Sequence, residues 1–229
     1  MNDRYQTTRS NPLRTLSATT VMDSAAHRVL RNTYMLLSLC LGFAALTAGT
    51  SAALGLPHPG IIITLVGYFG LLFLVTKYRD RGVGVALVFA LTGFMGYTLG
   101  PIISQYLNMP NGTQIVMTAL GGTAAIFMGL SAYVLISKRD LSFMGGFLMI
   151  GILVAFLAGL AAIFLNIPAL SLTVSAAFVL LMSGLILYET SNIVHGGETN
   201  YVMATVTLFV SIFNLFTSLL HLLGFAGRE

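Results

Sequence analysis

The sequence predicts an all-α integral membrane protein, a bundle of seven transmembrane helices with the last helix at its centre. Three observations predict it. Of 229 residues, 56% are hydrophobic and only 8% are charged. A water-soluble domain of this size carries roughly a quarter charged residues, because its surface must stay wet. Seven long apolar runs recur, each about 18 to 25 residues, the length a helix needs to cross ~30 Å of hydrocarbon at ~1.5 Å per residue. Finally, basic residues are sorted to alternate connections between the runs.

Taken in order, residues 1–23 are polar, rich in Ser, Thr and Arg, and without periodicity. They read as a flexible tail, and residues 24–229 as one seven-helix transmembrane domain. Asp23 or Ser24 is a candidate helix cap. The apolar runs cover 32–54, 60–77, 83–107, 114–136, 142–165, 169–189 and 201–223. The links between them, "LPHPG", "KYRDRG", "NMPNGT", "SKRD", "LNIPA" and "HGGETN", carry turn chemistry. A soluble helical bundle needs a polar stripe on each helix, and none is visible.

Ten of the eleven basic residues lie before the first run or in its even-numbered links: Arg4, Arg9, Arg14, Arg28, Arg31, Lys77, Arg79, Arg81, Lys138 and Arg139. The alternate links contain none. By the positive-inside rule the amino terminus and the even links are cytoplasmic, and seven crossings leave the carboxyl end outside. With no tryptophan in the chain, the interface belt falls to Tyr34, Tyr78, Tyr106, Tyr188 and Tyr201. "GFMGYTLGP" sets Gly93, Gly96 and Gly100 along one helix, small residues that allow close contact in lipid, and Pro101 should kink that helix.

Catalytic chemistry finds little footing. The single cysteine, Cys40, lies in an apolar run and has no disulfide partner. His27, His58, His195 and His221 are scattered, with no metal-ligand spacing and no phosphate-cradling loop, so no metal or cofactor is expected. Asp3, Asp23, Asp80 and Asp140 all lie outside the runs, as an aspartyl intramembrane protease cannot have them. Ser183 and His221 are the serine–histidine pairing worth naming, and their depths disagree. Nucleic acid is not an expected partner; membrane lipid is.

One acid stands out. Glu189 closes the sixth run, and it is either a solvated helix-end carboxylate or an inward-facing group of the kind that marks ion or proton paths. Glu198 reads as a solvated loop charge. In the last run Ser211, Asn214 and Ser218 recur at three and four residues and share one face. That face serves interhelical hydrogen bonding or lines a polar path opposite Glu189. It also suits a central position for the last helix.

Seven runs, "GFMGYTLGP", "YETSNIVHGGETNY" and "LFVSIFNLFTSLLHLLGF" make the chain resemble the Bax inhibitor-1 family, from about "HRVLRNTYMLLSL" to the carboxyl end. The resemblance implies a seven-helix bundle around the last helix. Within the family it resembles a bacterial branch whose members bind and modulate FtsH, the membrane-anchored AAA protease of the bacterial inner membrane, and are themselves poor substrates, which implies an inner-membrane location. A flexible end for that protease to grip would come from the tail, with Met1, Arg4, Arg9 and Arg14. Another branch contains pH-gated calcium leak channels with two aspartates on the last two helices. Their counterparts here would be Glu189 and Ser211, with Asn214 as a further partner and Lys77 as the nearby basic residue. The carboxyl pair has thus become one carboxyl and one hydroxyl. Two acids sharing a proton titrate as a coupled pair, and one acid beside a serine does not. Calcium or protons stay as alternative partners on this reading.

Overall fold

A computed structural model describes residues 12–227, with side chains from Ser24 onward. The helices are α1 (Pro12–Ala53), α2 (Ile61–Tyr78), α3 (Gly82–Leu107), α4 (Gly112–Ser137), α5 (Gly145–Phe164), α6 (Pro168–Val194) and α7 (Tyr201–Ala226), with a 3-10 turn at Ser142–Met144 ahead of α5. All seven are long and apolar enough to cross a membrane, and no strand occurs among the described residues. The lipid-facing surface is plain in the exposed apolar side chains: Ile62, Ile136, Phe143, Met149 and Leu180 are each more than 70% exposed. No soluble protein presents such faces to water on every side.

Turn chemistry ends the helices where the links were expected. Gly55 and Gly60 take positive φ between α1 and α2, and Gly196 does so after α6, conformations that cost glycine least. Pro168 opens α6 at its first position, where its missing N–H is no loss. Two boundaries differ from the sequence reading. α1 begins at Pro12 instead of Asp23 or Ser24. Proline is again at a first turn, and no glycine or proline interrupts the chain before Gly42. Arg14 therefore lies within α1; Met1, Arg4 and Arg9 lie outside the described residues. α6 runs on to Val194, so Glu189 is inside the helix and not at its end.

Half of α7's most apolar stretch is buried, a larger share than in any other span. It packs against α1, α3, α4 and α6, and Phe209, Leu208, Leu215 and Leu220 are sealed within the core. The last helix is central, as its polar face suggested. α1 and α3 make the closest pair, through the glycines of "GFMGYTLGP". Gly93 faces Phe43, Gly96 faces Ala44 and Thr47, and Gly100 faces Ala48 and Ser51. The Ser51 hydroxyl donates across the pair to Tyr97 O at 3.0 Å. α2–α3, α4–α5 and α6–α7 links gather at one end with the basic residues, here called the basic end; the opposite end holds the other three links, and is called the uncharged end because those links carry no Asp, Glu, Lys or Arg.

Candidate functional site

The quoted stretch from Tyr188 to Tyr201 is a clasp. Gly196, at φ 76°, turns the chain out of α6, and Gly197 N–H donates back to Asn192 O at 2.8 Å. His195 then reaches the α4–α5 link: Nε2 lies 3.1 Å from Lys138 O, and Nδ1 lies 2.8 Å from Ser191 O. The Ser191 hydroxyl donates to Arg139 O at 3.0 Å and accepts from Leu141 N–H at 2.9 Å. Asn200 does the same for the α2–α3 link, donating through Nδ2 to Asp80 Oδ1 at 2.8 Å and to Arg79 O at 3.3 Å. Its Oδ1 caps α7 by accepting from Val202 and Met203 N–H, satisfying amides that the first helical turn leaves open. Glu198 is not merely a solvated charge, since Oε1 accepts from Asn200 N–H at 2.7 Å. Beside the clasp, the Ser142 backbone N–H donates to Asp140 Oδ1 at 2.9 Å. That bond, the Ser142 hydroxyl and nearby His195 hold the Asp140 carboxyl below the usual range.

Under the clasp lies Glu189, only 5% exposed on α6. Its Oε1 has no hydrogen-bond partner, and neither do the hydroxyl oxygens of Thr190, Thr33 and Tyr34 on α6 and α1, or of Ser131 on α4. Glu189, Tyr34 and Ser131 all stand about 28 to 32 Å along their helices from the uncharged end, at ~1.5 Å per residue. α6 packs on both α1 and α4. The orphaned oxygens therefore lie at one depth near the basic end, where the Thr205 hydroxyl of α7 donates to Tyr201 O at 2.7 Å and stands 3.3 Å from Thr33 O. Polar oxygens buried at this depth are costly unless they hold water, a proton or an ion.

The other sequence-derived candidates are not gathered there. Ser211 is fully buried on α7, but its hydroxyl donates to Thr207 O at 2.7 Å. Asn214 Nδ2 donates to Val210 O at 2.9 Å. Both thus serve their own helix, and neither bonds Glu189. Lys77 is exposed at the end of α2, with Nζ 5.8 Å from the Tyr78 ring centre, and it makes no ion pair with Glu189. Ser183 turns to its own Val179 O. The residue that meets His221 is Ser175, with Oγ 2.8 Å from Nδ1. Depth counted from the helix ends identifies that pair, since α6 enters and α7 leaves at the uncharged end. Ser175 Oγ also lies 3.0 Å from Ser171 O of its own helix, and its contact with the imidazole joins α6 to α7. Among the described residues no group of histidine, cysteine and acidic side chains forms a metal site.

Comparison with known proteins agrees with this architecture. The family model "Inhibitor of apoptosis-promoting Bax1" matches residues 26–228. "Modulator of FtsH protease YccA" of Escherichia coli K12 is 56% identical over 90% of this chain and 93% of its own length. A protein of Pseudomonas aeruginosa is 52% identical over 88% of this chain and 90% of its own. A membrane protein of Vibrio cholerae is 39% identical over 96% and 99%. A match across all seven spans, at such identity and coverage, makes this chain a member of the Bax inhibitor-1 family.

Proposed function

We propose that the protein is an inner-membrane modulator of FtsH. The observation that carries this is the 56% identity, nearly end to end, with the Escherichia coli modulator of that protease. The fold supports a physical account. A AAA protease pulls membrane substrates out by an exposed end. Here that end is residues 1–23, with Met1, Arg4, Arg9 and Arg14, set on the cytoplasmic side by the positive-inside rule. Pulling on it draws on α1, which is locked to α3 through Gly93, Gly96 and Gly100 and to the central α7. Such a bundle yields slowly, and the enzyme is held while it does so.

The test is reconstitution of FtsH in liposomes with a second membrane substrate and either the full chain or one lacking residues 1–23. The full chain should co-purify with FtsH and slow turnover of the second substrate, and removing the tail should abolish degradation of the chain itself. Unchanged turnover in the presence of the full chain sinks the modulator reading. A tailless chain degraded at the full rate sinks the role of the tail.

A further inference from the structure

α1 and α4 flank a seam that no packed interface closes. The rings of Tyr34 on α1 and Phe127 on α4 meet in it with centres 5.9 Å apart. Toward the uncharged end the seam widens into an apolar cavity of about 900 Å³, floored by Phe209, Phe213 and Phe216 of α7. Its rims, Ala45 and Gly49 on α1 and Leu120 and Met128 on α4, are exposed, so it opens sideways into the membrane. Toward the basic end lies a second cavity of about 430 Å³, lined by His27, Arg28, Leu30, Arg31, Tyr34 and Leu135. The two cavities share α1 and the Tyr34–Phe127 contact.

The order of side chains along the seam is that of an amphiphile. Arg28 and Arg31 are three residues apart and so lie on one helix face. Both are exposed, and among the described residues neither is in an ion pair and no carboxylate lines their cavity. Guanidinium pairs recognise phosphate with directed, charge-assisted hydrogen bonds. One turn deeper the Tyr34 hydroxyl is buried without a partner. From Arg31 to Leu41, the first α1 residue of the apolar cavity, is about 15 Å at ~1.5 Å per residue, half of a ~30 Å hydrocarbon layer. A chain attached at the arginines therefore reaches the larger cavity. That cavity is lined almost wholly by apolar side chains, so it suits hydrocarbon better than water. Basic pockets between membrane helices suit acidic headgroups.

We propose that the α1/α4 seam is a binding site for an anionic phospholipid of the leaflet at the basic end. Its phosphate sits between Arg28 and Arg31, and an acyl chain runs past Tyr34 into the apolar cavity. The full chain, purified in detergent, is titrated with phosphatidylglycerol or phosphatidylcholine of the same acyl composition, and bound lipid is counted by native mass spectrometry. Phosphatidylglycerol should be retained about tenfold better, and the Arg28→Gln/Arg31→Gln variant should lose that preference. Arg79→Gln/Arg81→Gln, which removes equal charge elsewhere at the basic end, should keep it. Gly49→Leu, whose side chain enters open space beside the apolar cavity, should weaken retention of both lipids. Equal retention of the two lipids, or equal losses in the two double variants, overturns the site. Full displacement by inorganic phosphate makes it a free-anion site and overturns the lipid, and unchanged retention in Gly49→Leu overturns the placement of the chain.

Discussion

Glu189 stands five residues inside the end of α6, with one carboxylate oxygen sealed from solvent and unpartnered. A proton or cation route through the protein would find in Glu189 the one acid within the bundle among the described spans. On that second reading Glu189→Gln, which keeps the shape and removes the charge, should lower calcium or proton entry into proteoliposomes by about tenfold, the loss of roughly 1.4 kcal/mol of ion interaction. Equal flux in the two proteins takes Glu189 out of any conduction path. The sequence made Glu189 conspicuous, since charge is so rare near these runs. It placed Ser211 and Asn214 on one face of α7, but not their partners. Hydroxyl and amide side chains inside a helix readily turn to the carbonyl one turn back, and both do so here. Spacing shows which face a side chain is on and leaves open whether it crosses to a neighbour.

At the scale of helices, the α1–α3 contact rests on absent side chains. A Cβ at Gly96 would come within 2.9 Å of Ala44 Cα, and it would also meet the Ala44 carbonyl and the Thr47 hydroxyl. Gly96→Ala ordinarily gains about 1 kcal/mol of helix propensity. Here forced separation of the backbones outweighs it, as overpacking costs about 1–3 kcal/mol. Thermal unfolding followed by circular dichroism should show a lowered Tm for Gly96→Ala. Gly49→Ala, which meets nothing within 4 Å, should hold or raise it; an unchanged Tm for Gly96→Ala means α1 yields to the methyl group. The glycine spacing, the seven runs and the turn residues were all legible in the sequence, because length and hydropathy decide what spans a bilayer. The ends of α1 and α6 were not. Helix continues through "LRTLSATTVMDSAA" and "TSNIV" wherever nothing breaks it, and hydropathy marks the edge of the lipid, not of the helix.

For the whole molecule the pattern of charge makes a geometric demand. The "NMPNGT" and "SKRD" links must open on opposite sides of the membrane. Cysteines introduced as Asn111→Cys and Asp140→Cys should react with an impermeant maleimide from outside and inside respectively, while native Cys40, fully buried, stays silent. Labelling of both from one side removes the seven-span layout and the cytoplasmic tail with it. The His195 and Asn200 contacts carry a further consequence for how the protein is made. The side chains that fasten the Lys138–Leu141 and Arg79–Asp80 links, Ser191, His195 and Asn200, belong to the end of α6 and the last connection in the chain. A ribosome that has delivered only five helices has inserted a protein whose basic-end loops are still unfastened. Until residue 200 emerges, that nascent form is the one most open to quality control, and completing translation is the act that locks it.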